Sequence, residues 1–399
     1  MTSTSKLLKE LSAFITKGAT PTTYGFRWES SGVRFLRSEC VSARGLDLTQ
    51  SMFISEAANR MMSRSEVSDG DLLMTITGNV GRVVRVEGLS RANINQHIAR
   101  IRLSNSAADS GYVYHYLSQT TIREHYETIT TGQAYPQISL AQVRDTEIPL
   151  PPIEIQRHVA EVLTEADGSI TALERLIAKK QAIKQGMMQQ LLTGKTRLPG
   201  FNRAWTDAPL LELGTLVTGT TPPTAESSNF GNFLPFISPS EVHGDLDISR
   251  PTRYLSRRGA ALAKQLPKGS IVVTCIGQIG RTAFLNEDAA TNQQITAVVP
   301  GDKVHGLFIF YAITFARSRL ADAASQQVLP ILNKSSLGKI EVRLPALHEQ
   351  EEIAHVLFEV DAELDALKRR ARSARAIKQG MMQELLTGRT RLIPAEVAA

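Results

Sequence analysis

A chain of 399 residues, 42% hydrophobic and 21% charged, has the composition of folded globular protein and length enough for two substantial cores, which excludes extensive disorder. No run of about 18 apolar residues occurs, and the opening Met1-Thr-Ser-Thr-Ser-Lys-Leu-Leu-Lys-Glu10 lacks the apolar core of a secretory signal, so a cytoplasmic protein without membrane contact is expected. The net charge of +6 is compatible with a polyanionic partner, while the two cysteines, Cys40 and Cys275, lie far apart without CxxC spacing and are expected as small core residues rather than a disulfide or zinc site.

In chain order, the first recognisable elements are a turn at Gly18-Ala-Thr-Pro21 and the segment Phe35-Leu-Arg-Ser-Glu39. The run Gly70-Asp-Leu-Leu-Met-Thr-Ile-Thr-Gly-Asn-Val-Gly-Arg82, continued by Val83-Val84-Arg85-Val86, predicts strand, tight Gly-x-x-Gly turn, strand. Polar loops follow at Asn95-Gln-His97 and Gln133-Ala-Tyr-Pro136. After Pro151-Pro152, apolar residues recur in alternating steps of four and three at Val159, Leu163, Ala166, Ile170, Leu173, Ile177, Met187 and Leu191. That spacing predicts one long helix with a coiled-coil seam, ending where Thr193-Gly194 suits a left-handed cap.

The whole series then repeats. Gly219-Thr-Thr-Pro-Pro223, Phe236-Ile-Ser-Pro-Ser-Glu241, Gly269-Ser-Ile-Val-Val-Thr-Cys-Ile-Gly-Gln-Ile-Gly-Arg281 with Thr282-Ala283-Phe284-Leu285, Asn292-Gln-Gln294 and Gln327-Val-Leu-Pro330 match the earlier segments in order. A second helix, expected from Pro345 to Thr387-Gly388, carries the seam Ile353, Leu357, Val360, Leu364, Leu367, Ala371, Ala374, Met381 and Leu385. Ile183-Lys-Gln-Gly-Met-Met-Gln-Gln-Leu-Leu-Thr-Gly-Lys-Thr-Arg-Leu198 recurs almost letter for letter at Ile377–Leu392, a period of 194 residues (377 − 183) that is too long for a solenoid. Gln156 matches Gln350, Asp167 matches Asp361, and Lys378 stands where Lys184 interrupts the first seam. Each helix would span on the order of 55 Å, and the two seams can pair. The expected fold is therefore α+β: two domains with curved, mostly antiparallel sheets, joined through an antiparallel coiled coil of long helices in a pseudo-twofold internal duplication. The expected boundaries are 1–149 for the first domain, 150–198 for its helical spacer, 199–343 for the second domain, 344–393 for the second spacer and 394–399 for a tail.

Candidate contacts with nucleic acid fall on the loops. Arg82 and Arg281, beside Asn79 and Gln278 in the Gly-x-x-Gly turns, suit phosphate, although the turns can equally serve structure alone. The amide-rich loops Asn95, Gln96, His97, Gln133 and Tyr135, with Asn292, Gln293, Gln294 and Gln327, offer groups that can pair with base edges or hold a shared turn. Positions that differ between the copies are better candidates for specificity, since a reader of two different half-sites must vary where bases are touched; these are Arg37, Gln137, Ser238 and Asn333, and Lys334 is a further candidate DNA contact. The helices carry a basic run, Lys179, Lys180 and Lys184 in the first and Lys368, Arg369, Arg370, Arg372, Arg375 and Lys378 in the second, which reads as a solvated face. Candidate seam and partner-binding positions are Leu163, Ile170, Leu173, Ile177, Met187, Met188 and Leu191, with Leu357, Leu364, Leu367, Met381, Met382 and Leu385; the paired methionines suit either an adaptable partner contact or a core.

The duplicated helix with Leu-Pro-Pro-Ile-Glu-Ile-Gln156 and Leu-Pro-Ala-Leu-His-Glu-Gln350, the Ile-Lys-Gln-Gly-Met-Met-Gln segments, and Leu-Leu-Thr-Gly followed by Lys195 or Arg389 resemble the specificity subunit of type I restriction-modification enzymes over essentially the whole length. The resemblance implies two target-recognition domains, the first reading the 5′ half and the second the 3′ half of a split double-stranded DNA target. It further implies paired helices that set the spacing, two docked methyltransferase subunits, and two restriction and translocation subunits. No Gly-x-x-x-x-Gly-Lys-Ser/Thr loop, no Asn-Pro-Pro-Phe/Tyr segment and no convincing nuclease motif is found, so catalysis is expected elsewhere: no cofactor or metal in this chain, with S-adenosylmethionine, ATP and magnesium in the partner subunits. An assembly scaffold that has lost DNA contact, or a single-chain enzyme, are the alternatives.

Overall fold

The computed structural model describes residues 4–42, 45–104, 108–132, 134–244, 246, 251–324 and 331–390. By packing, the chain divides into two units, Met1–Leu173 with Arg370–Ala399, and Glu174–Arg369. The division runs through both long helices, so each helix gives one half to each unit.

In the first unit two four-stranded sheets lie against each other. One has the order Met52–Ile54, Val33–Leu36, Ala92–Ile94, Glu66–Val67, and the other Ser12–Lys17, Ile98–Leu103, Leu72–Thr75, Val83–Arg85. Pairing is antiparallel except between Ala92–Ile94 and Val33–Leu36. Alternation along the strands decides what each face meets. Leu73, Val84 and Ile98 point into the space between the sheets with Leu36 and Ile94. Leu72, Met74, Ala99 and Ile101 point the other way, onto the helix Ser110–Leu117 through Tyr112 and Val113 and onto the long helices through Val159, Leu163, Leu385 and Leu386. A strand buried on both faces reads as an unbroken apolar run, as Leu72-Leu73-Met74 does.

The second unit repeats this topology. Its sheets run Tyr254–Leu255, Phe230–Ile237, Ala289–Thr291, Gln265–Leu266 and Gly214–Thr218, Ile295–Pro300, Ile271–Thr274, Thr282–Phe284, again with one parallel pair, Phe236 beside Ala290. Its outer core joins Ile271, Val273 and Val298 to Phe308, Ile309 and Ile313 of the helix Gly306–Phe315, and to Met188, Leu191, Ile353 and Leu357 of the long helices. The expected α+β class with duplicated, mostly antiparallel sheets is the observed one. Cys40 and Cys275 are free, buried thiols, and burial raises the pKa of each.

The long helices, Ile153–Leu191 and Leu347–Leu385, are 39 residues each, about 58 Å by helical rise. Both end at left-handed glycines, Gly194 (φ 69°) and Gly388 (φ 71°). They pack antiparallel. Within the first unit Lys378 Nζ meets Asp167 Oδ1 at 2.6 Å, and within the second Lys184 Nζ meets Asp361 Oδ1 at 2.5 Å. Asp167 and Asp361 are 194 residues apart (361 − 167), as are Lys184 and Lys378 (378 − 184), so one contact is made twice with the helices exchanging roles. Of the seam, Leu163, Leu191, Leu357, Leu364 and Leu385 are buried, whereas Ile170, Leu173, Ile177 and Leu367 are half-buried, as expected where two helices cover only one stripe of each other. Met188 is buried with the second unit's core, and Met187, Met381 and Met382 are half-buried against the core of their units.

Two further contacts tie each domain to its helices. Gln156 donates to Pro151 O (2.8 Å) and accepts from the Asp109 N–H (2.9 Å); Gln350 does the same with Pro345 O (2.9 Å) and the His305 N–H (2.9 Å). Both side chains are 2% exposed, and an amide is suited to the position because it supplies donor and acceptor together. The Asp–Lys pairs are each met by a ring: Tyr311 donates to Asp361 Oδ2 at 2.8 Å, and His115 Nδ1 lies 3.9 Å from Asp167 Oδ2.

His115 is fully buried, and burial first, then the positive charges of Lys378 and Arg85, lower its pKa from 6.5 to about 3. Asp167 does not reverse this because Lys378 already engages both its oxygens. The folded chain therefore keeps His115 neutral where the unfolded chain protonates it. Its contribution is complete above pH 6.5 and is lost as pH falls from there toward 3. Between pH 7 and 5 the loss should reach roughly 2 kcal/mol in urea unfolding of the first unit, and His115→Gln should remove that part of the slope. A double-mutant cycle of Lys184→Met and Asp361→Leu, read by the same method, should give a coupling of about 1–3 kcal/mol, because either change alone strands a largely covered charge. Additive effects would mean that the pair is incidental.

Candidate nucleic-acid interface

The predicted loop residues converge at one end of each domain, and the backbone explains why. In the first unit the Gly-x-x-Gly turn joins Leu72–Thr75 to Val83–Arg85, with Gly78 and Gly81 both at φ 79°. Thr75 Oγ1 closes the turn, donating to Asn79 O and accepting from the Arg82 N–H at 3.1 Å. The loop before the helix Leu140–Arg144 is stitched beside it, since the Gly78 N–H donates to Pro136 O (2.9 Å) and Ile138 N–H to Ile76 O (3.0 Å). Ile76 N–H in turn donates to His97 O at 2.9 Å, and Asn95 N–H to Leu36 O at 3.1 Å. Asn79, Arg82, Asn95, Gln96, His97, Tyr135, Gln137 and Arg37 are thereby gathered into one loop cluster.

The second unit builds the same cluster. Gly277 and Gly280 are at φ 73°, and Thr274 Oγ1 donates to Gln278 O (2.5 Å) and accepts from the Arg281 N–H (3.0 Å). Cys275 N–H donates to Gln294 O, Leu332 N–H to Cys275 O and Asn292 N–H to Ile237 O, which brings together Gln278, Arg281, Asn292, Gln293, Gln294, Ser238, Asn333 and Lys334. Gln133 and Gln327 lie outside the described residues.

Within each cluster the side chains divide by what already holds them. Asn95 is 8% exposed and its Oδ1 accepts from the His97 N–H at 3.1 Å; Asn292 accepts from the Gln294 N–H at the same distance. Gln96 and Gln293 accept from Thr20 Oγ1 (2.6 Å) and Thr221 Oγ1 (2.7 Å) of the proline turns. Those turns approach so closely that a Cβ on Gly18 would lie 1.7 Å from Ile94 O, and on Gly219 2.3 Å from Asn292 O. These matched residues hold the loop in shape. By contrast Asn79, Gln278, Tyr135 (76% exposed), Gln137 and Lys334 stand at the surface. Arg37 donates to Gln50 O at 3.3 Å, and Asn333 caps the short helix Lys334–Gly338 by accepting from the Ser336 N–H at 2.8 Å. Ser238 donates to Glu241 at 2.9 Å; burial works to raise that carboxyl's pKa, and the Thr252 and Ser238 donors outweigh it and lower the pKa.

Several residues outside the sequence-based list belong to the site or its support. Thr75 and Thr274 close the turns, a role visible only as a repeated Thr before the Gly-x-x-Gly in both copies. Arg100 and Arg102 line a basic cleft beside Phe14; two arginines at alternate positions of Ile98-Ala-Arg-Ile-Arg-Leu103, against Ala297 and Val299 in the second copy, were the available signal. Among the described residues no group of His, Cys, Asp and Glu could hold a metal ion, and no helix is long and apolar enough to cross a membrane.

Comparison with known proteins matches the duplicated architecture. The family model described as the type I restriction modification DNA specificity domain matches twice, over residues 8–185 and 202–374. A Methanocaldococcus jannaschii chain, provisionally named the specificity subunit of the type I restriction enzyme MjaX, is 22% identical over 389 residues, covering 90% of this chain and 88% of that one. The HindI specificity subunit of Haemophilus influenzae is 24% identical over 297 residues, 56% of this chain and 65% of that one. The crystal structure of a type I restriction-modification S subunit from M. genitalium has the same fold, with a TM-score of 0.66 at 14% identity over 96% of this chain and 95% of that one. The chain belongs to the type I restriction-modification specificity family, as a specificity subunit that recognises DNA sequence.

Proposed function

We propose that the chain is the non-catalytic reader of a bipartite double-stranded DNA target, each domain contacting one half-site through its loop cluster. The observation that carries this reading is the division of labour in the two clusters: Thr75/Thr274, Asn95/Asn292 and Gly18/Gly219 are the same in both, while other positions differ, Asn79 against Gln278 at the surface and the half-buried Arg37 against Ser238. A frame held constant with altered tips is what two different half-sites require. Arg82, Arg281 and Lys334 are assigned to phosphates, and Asn79, His97, Tyr135, Gln137, Arg37, Gln278, Gln293, Gln294, Ser238 and Asn333 to base edges or their immediate support. The paired helices set the gap between half-sites and dock two adenine-N6 methyltransferase subunits and two restriction and translocation subunits in the cytoplasm. Those partners would bring S-adenosylmethionine, ATP and magnesium.

The test is a map of methylated adenines in cells carrying the methyltransferase genes, with and without this gene. Deletion should erase one split motif, and an unchanged map would sink the reading. In the same assay Gln278→Ala or Ser238→Ala should relax one half-site and leave the other intact, at about 1–3 kcal/mol per lost base contact. Four residues inserted at the midpoint of both helices add about 6 Å and should lengthen the preferred gap by roughly one or two base pairs. A gap that stays fixed would refute the spacing role.

A further inference from the structure

In the first unit the space between the two sheets is apolar at Leu73, Val84 and Ile98, then opens into a cleft of about 710 Å³. Arg100 and Arg102 share the strand face of Ile98, and across the ladder they stand opposite Thr16 and Phe14. Both guanidinium groups lie over the Phe14 ring, 4.3 and 5.2 Å from its centre. Lys9, Arg64 and Arg144 complete the walls. The cleft has one carboxylate at its edge, Glu66, which is held by Arg91.

The fold does not need these charges. At the same ladder positions the second unit has Ala297 for Arg100, Val299 for Arg102 and Val217 for Thr16, all within or against its inter-sheet apolar cluster. Ser270 replaces Asp71 there, and both are covered by the following strand in the same way. Nor does Asp71 account for Arg100. Asp71 is 1% exposed and is satisfied by the Arg102 fork, at 2.7 Å to each oxygen, and by the Ser68 N–H at 2.9 Å. Arg100 is left 3.9 Å from that carboxylate, 3% exposed, with its Nε–H unpartnered among the described residues. Burial accordingly lowers its pKa to about 10, with Asp71 only partly offsetting the cost. That Nε faces Asp71 rather than the cleft, but the guanidinium stacked on Phe14 borders the cleft beside Arg64 and Arg144, a setting that suits an anion.

We infer that this cleft is a phosphate-binding site belonging to the first domain alone, and that the phosphate it takes is a DNA backbone phosphodiester. Of the five cations that line it, Arg102 is engaged by Asp71 and Lys9 by Asp145 at 2.8 Å, which leaves Arg64, Arg100 and Arg144 to face an anion. Arg100 lies three residues along the strand from His97 of the loop cluster, about 10 Å, or about three axial steps of one DNA strand. The DNA source rests on the specificity reading above; the phosphate site does not.

Two arms separate them. The full chain is titrated calorimetrically with inorganic phosphate, alone and as Arg100→Ala, which installs the second domain's residue. Binding should weaken about tenfold or more in Arg100→Ala. Arg64→Gln on the exposed rim, which leaves the core untouched, should weaken it by a smaller factor. No binding to the unaltered chain, or equal binding by all three, overturns the site. In the second arm, the chain assembled with its methyltransferase partners binds target duplex across a salt series, where Arg100→Ala should lower the salt slope by about one and weaken all sequences alike. Lost phosphate binding with an unchanged slope overturns DNA as the source. A complex that selects no sequence at all overturns the specificity reading, and the phosphate titration still decides the cleft.

Discussion

The Asp–Lys contact between the long helices is the constraint on which the architecture turns. An apolar stripe repeated every three to four residues can slide by a heptad and still bury the same area, so the seam alone does not fix register. A lysine set into it can. Lys184 and Lys378 each interrupt the seam and each find an aspartate of the other helix, and any slip would leave both ammonium groups and both carboxylates covered and unpaired. Because each ion pair also meets a ring from its own domain, Tyr311 or His115, register of the helices and seating of the domains are fixed at the same two points.

The glutamines Gln156 and Gln350 do the equivalent work at the helix starts. Each ties the proline stop before the helix to the backbone of the domain's own short helix, which anchors the first turn of the long helix to its sheet. The near-identical Leu-Leu-Thr-Gly ends have a matching reason: Leu191 and Leu192 enter the core of the second unit, and Leu385 and Leu386 that of the first. Those repeated leucines bury against a domain core, whereas Ile183 and Ile377, equally part of the repeat, stand exposed.

The same logic separates frame from tip in the loop clusters. Thr75 and Thr274 spend their hydroxyls inside the turn, and Asn95 and Asn292 spend their carbonyls on the next loop residue but one, so four amide or hydroxyl positions that match between copies are already engaged. Tyr135, Gln137 and Gln278 have their side chains at the surface. Departures from the duplication are as informative as its matches. Arg100 and Arg102 occupy places where the second domain is apolar, and a fold that is indifferent to charge there points to a ligand as the reason for it.

Sequence alone determined the duplication, the α+β class, the Gly-x-x-Gly hairpins, the two long helices with their glycine ends and the set of loops that carry the candidate contacts. These are written in local pattern: periodicity, turn residues and a 194-residue repeat. It did not determine that Gly18 is required by the carbonyl of Ile94, that Met188 faces a core, that Lys378 pairs with Asp167 across 211 residues, or that Arg100 is buried without a full partner. Each of those depends on which distant segment arrives beside a side chain, and burial and pairing are properties of that meeting rather than of either segment, so only the tertiary structure could decide them.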